Sequence, residues 1–197
     1  LHLQIWGDAN KAIDFIEPAL ELTTQHHQTA FTVLNDIAVS MPDSLTTLRR
    51  IMEIFLAYHK WAGAIKIGEI IWKSVSQVRE RARVLLSMAQ VFAEHLDNSV
   101  EASKHLYLAI SLHKDWLSQA FSSHVWIFDY SARRPYFRDT VIALIEEGGD
   151  LNLALKFWTE MSTQAHDRAL CDVASIEKWR LEAIQAKSSD AFIALLR

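Results

Sequence analysis

Trp61-Ala62-Gly63-Ala64-Ile65-Lys66-Ile67-Gly68-Glu69-Ile70-Ile71 sets small residues among large apolar ones at steps of three and four. The pattern returns at Leu151-Asn152-Leu153-Ala154-Leu155-Lys156-Phe157-Trp158-Thr159-Glu160-Met161, with Ala154-Leu155 in the places of Ala64-Ile65. Such steps define one face of a helix with 3.6 residues per turn. A small residue at a fixed phase lets a second helix approach closely, and the bulky residues a turn away fill the layers above and below. Both stretches therefore predict helical hairpins in which Ala64 and Ala154 are buried at close contacts.

The same periodicity extends outward in both directions. Asp8 to about Leu22 carries Ala12, Phe15, Ile16, Ala19 and Leu20, with Pro18 expected to bend or shorten the helix. Thr29 to Met41 ends at Met41-Pro42, and Asp43 or Ser44 can cap a helix bearing Leu48, Ile51, Met52 and Phe55. Lys60 to Val75, Val78 to about Leu96 and Ser99 to about Leu112 follow. A run through Trp116, Leu117, Phe121, Val125 and Phe128 then reaches Asp129-Tyr130-Ser131-Ala132-Arg133-Arg134-Pro135, read as irregular. Pro135 suits the first turn of a helix that stops at Gly148-Gly149. Helices over Leu151 to Met161 and His166 to Ala186 come next, and Ser188-Ser189-Asp190 introduces a last one.

In 197 residues there are 5 Gly and 3 Pro, too few to turn an all-β chain of this length. The formal net charge of −4 gives no global basic field, which disfavours nucleic acid and anionic membrane as primary partners. The single cysteine, Cys171, excludes an internal disulfide and a multi-cysteine zinc site and reads as a small core residue. No apolar run has membrane-spanning length, and the first residues lack the pattern of a signal peptide, so a cytoplasmic protein is expected. The chain reads as one helical-repeat domain over 1–197, a fragment of a longer protein. Shifting it by 90 residues superposes Ala12 on Ala102, Ala19 on Ala109, Ala30-Phe31 on Ala120-Phe121 and Ala64 on Ala154. Either 6–71 and 96–161 are an internal duplication, or two amphipathic stretches align once their phases coincide.

Leu48, Ile51, Met52, Phe55, Trp61, Ala64, Gly68 and Ile71, then Val141, Ile142, Ile145, Gly149, Leu151, Ala154, Trp158 and Met161, fall at the positions of a helix-turn-helix repeat. A third set takes Leu85, Met88, Ala89, Phe92, Ala102, Leu106 and Ala109. This arrangement resembles the tetratricopeptide repeat. Met52 and Ile142 stand where that family prefers a small residue, and His59 replaces its turn glycine. The alanine anchors Ala12, Ala64, Ala102 and Ala154 are irregularly spaced, so extra helices must interrupt the stack. The resemblance implies an all-α fold, a right-handed α-solenoid of antiparallel helical hairpins, tetratricopeptide-like with irregular extra helices.

It also implies a function: a non-catalytic scaffold or adaptor that binds a peptide or protein along a helical groove, without cofactor or metal. In such a stack the first helix of each hairpin lines the groove. Carried over to the matched units, this nominates Arg49, Arg50 and Glu53, then Arg83, Ser87 and Gln90, then Tyr136, Asp139 and Thr140. Arg50 and Arg83 would make one end locally positive and favour an acidic peptide. The alternative is a regulatory or sensor segment of a larger multidomain protein.

A third reading starts from His166-Asp167, which resembles the metal-binding dyad of the helical HD-type phosphohydrolases. His124 and Asp190 can be nominated as the further ligands, but neither is placed convincingly around the dyad, and Asp167 is well explained as a first-turn acid facing the helix dipole. Nine histidines include no His-Glu-x-x-His, and His26-His27 suit a polar turn. Glu147-Gly148-Gly149-Asp150 lacks the spacing and lysine of a phosphate loop. Trp61, Trp72, Trp158 and Trp179 read as packing residues, whereas Trp116, Trp126 and Tyr136 read as exposed aromatics. Arg79-Glu80-Arg81-Ala82-Arg83 and Arg133-Arg134 with Arg138 are the two basic clusters.

Overall fold

Helical periodicity becomes eleven α-helices, and no strand, among the described residues of the computed structural model, which are 9–22, 26–113, 117–165 and 167–185. They are α1 (Ala9–Leu22), α2 (His27–Ser40), α3 (Leu45–Ala57), α4 (Trp61–Ser74), α5 (Val78–Glu94), α6 (Ser99–Leu112), α7 (Leu117–Ser123), α8 (Trp126–Arg133), α9 (Pro135–Gly148), α10 (Leu151–Gln164) and α11 (Arg168–Gln185). The fold is all-α. Packing gathers the chain into two compact units, Leu1–Val91 and Phe92–Arg197, with the division inside α5. The last helix expected, from Ser188, lies outside the described residues.

In the first unit the apolar stripes of α1 to α5 meet in one core, where Ile13, Leu34, Ile37, Leu48, Ile51, Ala64, Ile67 and Ile71 are almost fully buried. Pro18 sits inside α1 without ending it. α3 and α4 pack most closely. Their short turn requires a left-handed residue, and His59 supplies it at φ 57° with its ring tilted on Trp61. That is the position the repeat family fills with glycine, the residue that takes positive φ without steric cost. Gly63 is needed for another reason: a Cβ there would lie 2.0 Å from the Phe55 ring, which packs edge-on against Phe31 at 4.9 Å.

The second unit closes around Leu106, Phe121, Ile127, Tyr130, Phe137, Val141, Phe157 and Met161. Its closest helix pair is α10 with α11. Asn98 and Asp150 accept hydrogen bonds from the amides of Glu101 and Leu153 and so cap α6 and α10. Gly149, at φ 64°, ends α9 in the left-handed conformation, and Pro135 begins it.

Several local expectations are corrected. Asp129 to Arg133 is helical, not irregular, because burying Tyr130 against Phe137 and bonding Ser131 Oγ to the Ile127 carbonyl stabilise a helical turn there. The break falls earlier, at His124-Val125, between α7 and α8. Trp126 is buried against Phe137 although it was expected outside, and Trp179, expected inside, is 49% exposed. Trp116 lies outside the described residues. Cys171 is only partly buried, its thiol bonded to the Ala165 carbonyl. Ala64 is fully buried, but Ala154 is partly exposed.

The helix starts Leu45, Trp61 and Val78 recur 90 residues later as Pro135, Leu151 and Arg168. α1 and α6 keep the same offset, and α2 is replaced by the shorter pair α7 and α8.

Candidate functional site

The expected groove residues fall into three groups. Arg49 on α3 and Arg83 on α5 converge on Glu80, with Arg83 Nη1 3.1 Å from Glu80 Oε1. Arg50, one residue on from Arg49, turns instead to α1, where its guanidinium is shared by Asp14 and, at 2.6 Å, Glu17. Hydrogen bonds that Arg50 donates to Glu17 and Asp14 raise its pKa above the ordinary value. Ser87 Oγ donates to the Arg83 carbonyl, Gln90 is half-buried, and Glu53 is exposed. Tyr136, Asp139 and Thr140 belong to the second unit, with Tyr136 58% exposed and Thr140 bonded to the Tyr136 carbonyl.

The charge attributed to this surface therefore needs correction. Arg50 carries two carboxylates of its own, and one of the two charges of Arg49 and Arg83 is offset by Glu80. A paired guanidinium attracts a further anion less than a free one. Four arginines of the two basic clusters are engaged as well. Arg81 stacks over Trp72 at 3.9 Å, Arg133 donates to the Asp129 carbonyl, and Arg138 to that of Ser131. Arg134 grips Asp97 with two guanidinium nitrogens and holds its carboxyl below the usual carboxylate range. Asp97 is itself left-handed at φ 47°, and the Tyr130 hydroxyl donates to it at 3.3 Å.

For the hydrolase dyad, His166 and Asp190 lie outside the described residues. Asp167 accepts the Ala169 amide at 3.0 Å, as an acid at a helix start does, and His124 Nδ1 lies 2.8 Å from the Ala120 carbonyl. Among the described residues no three His, Cys, Asp or Glu side chains gather as a metal site.

What sequence reasoning missed is a cavity of about 180 Å³ inside the second unit. Ile142 and Ile145 of α9, Leu151, Ala154, Phe157 and Trp158 of α10, and Leu181 of α11 form its apolar wall. Glu146, Asp150 and Arg180 add charge, and Glu146 and Arg180 are exposed, which places them at the mouth. Arg180 Nε is bonded to Glu177 at 2.8 Å. Asp150 is held by Ser118 and by the Leu153 amide, which together lower its pKa. The same helix α11 exposes four large apolar side chains, Val173, Ile176, Trp179 and Ile184, each about half exposed.

The counterpart region of the first unit is filled. Gly68 stands where Trp158 does, and Met88, where Lys178 does, lies against it: a Cβ on Gly68 would be 2.8 Å from Met88 Sδ. Met88 is almost fully buried and seals that core, whereas Lys178 points to Glu182 on the surface. The same alanine motif is thus plugged once and left open once.

Comparison of the chain with protein-family models, curated proteins and solved structures yields no match. No helix among the described residues is long and apolar enough to cross a membrane.

Proposed function

We propose that the chain is a non-catalytic helical-repeat scaffold that binds a protein or peptide partner, with the contact made on the second unit. The observation that carries this reading is the exposure of Val173, Ile176, Trp179 and Ile184 on α11, the helix that also lends Leu181 to the apolar cavity. Large apolar side chains left half exposed on one helix are what partner surfaces use, and monomeric surfaces keep such exposure small. The 90-residue recurrence of helix starts supports two related modules, of five and six helices, and the left-handed turn at His59 fits a tetratricopeptide-like hairpin. In this reading the arginines of α3 and α5 tie helices together, and the partner is not required to be acidic.

The test is site-specific photocrosslinking in the whole chain, with the reactive group at Ile176 or, as a control, at exposed Ala57 of α3. A partner should be captured from Ile176 alone, bind the chain when purified, and lose at least tenfold in affinity when Ile176 becomes Glu. Capture from Ala57 instead, or unchanged affinity of the Glu variant, would refute the placement on α11.

A further inference from the structure

We propose that the α9–α10–α11 cavity is a specific receptor for an aromatic ring carrying a nearby cation, as presented by an aromatic residue beside Lys or Arg on a partner peptide. This deepens the scaffold reading and rests on it for the source of the ligand.

Size comes first. A space of about 180 Å³, open to solvent on one side, is lined by Ile145, Ala154, Phe157, Trp158 and Leu181 among others. Dry apolar cavities on the order of 150 Å³ accept benzene, so one ring fits here. Shape comes from particular residues: Ala154 withholds a side chain from the centre, and Trp158 and Phe157, in edge contact at 5.3 Å, offer aromatic surface. The first unit shows what fills such a space when a residue is available, since Met88 lies against Gly68 there and is almost fully buried. Lys178 at the matching place cannot fill it without burying its ammonium. Among the described residues no side chain fills the cavity, and the proposed occupant comes from outside.

Charge selects the rest of the ligand. Arg180 at the mouth is already matched by Glu177. Glu146 has no side-chain partner among the described residues, and the Asp150 carboxylate, held by neutral donors, keeps its charge. The mouth is thus net negative, and a cation one or two bonds beyond the ring gains where an anion loses.

The experiment titrates the whole chain with 2-phenylethylammonium, benzyl alcohol and phenylacetate, reading the Ala154 methyl and Trp158 indole N–H resonances by NMR. The ammonium should bind best, by roughly fivefold over phenylacetate. Glu146→Gln should reduce that preference while leaving the benzyl alcohol affinity in place. Ala154→Leu should abolish binding of all three with helix content unchanged. Equal affinity for the three probes, no shift at either resonance, or binding that survives Ala154→Leu would overturn the proposal. If the probes fail but Ile176 still captures its partner, the cavity is refuted and the scaffold stands. If they bind and nothing is captured, the cavity is a small-molecule site and the scaffold falls.

Discussion

Replacing Ala64 and Ala154 in turn by Leu should have opposite effects, although the two alanines occupy the same place in the same sequence pattern. Ala64 is fully buried among the core residues of the first unit, so three added carbons push α4 from its neighbours or force poor rotamers. Such overpacking costs about 1 to 3 kcal/mol. Ala154 faces the cavity of about 180 Å³, and the same three carbons enter existing space. At about 0.8 kcal/mol per fully buried CH₂, at most roughly 2.4 kcal/mol is gained, less about 0.5 to 1 kcal/mol of leucine rotamer entropy. The net stabilisation is at most about 1 to 2 kcal/mol, and the two variants should differ by up to roughly 2 to 5 kcal/mol. Urea unfolding followed by circular dichroism reads this as midpoints displaced in opposite directions. With a slope of about 1 to 3 kcal/mol/M, their separation should approach or exceed ~1 M. Each is read in the transition of the unit that carries the substitution. If Ala154→Leu destabilises as Ala64→Leu does, the cavity is not there and the reasoning fails with it.

Gly63→Ala should destabilise by about 1 to 2 kcal/mol, because its Cβ meets the wedged Phe55 ring and the overpacking outweighs the gain of up to about 1 kcal/mol in helix propensity; Gly68→Ala, facing flexible Met88, should stay within about 1 kcal/mol of wild type in the same melts. Asp150→Ala should cost about 1 kcal/mol through loss of the α10 cap. The folded pKa of Asp150 is lowered, chiefly by the Ser118 hydroxyl, so its stabilisation is complete above the unfolded carboxylate pKa and is lost as pH falls through the folded one. Asp150→Asn, which still caps, should flatten the decline of the thermal midpoint in that acid range, and an unchanged decline would clear Asp150 of the role. Arg50→Glu should destabilise the docking of α1 by about 1 kcal/mol, since it sets a third carboxylate beside Asp14 and Glu17; a denaturant midpoint equal to that of wild type would show the triad to be energetically idle.

The local part of this fold was legible in the sequence because its causes are local. Starts at Ser99 and Leu151, the Pro135 beginning and Gly149 end of α9, and the acid at Asp167 each follow from capping chemistry within a few residues. The apolar stripes likewise named most of the core, including Ile51, Phe55 and Ala64. Only tertiary structure decided that Trp126 goes in and Trp179 out, since the phase of a stripe says which residues share a face and not whether a neighbour covers it. It decided that Arg50 belongs to Asp14 and Glu17, more than thirty residues away, because charges pair by distance in space. It also decided that one alanine motif is sealed and the other open, a difference set by what faces it: Met88 against Gly68 in the first unit, and Trp158 with outward-turned Lys178 in the second.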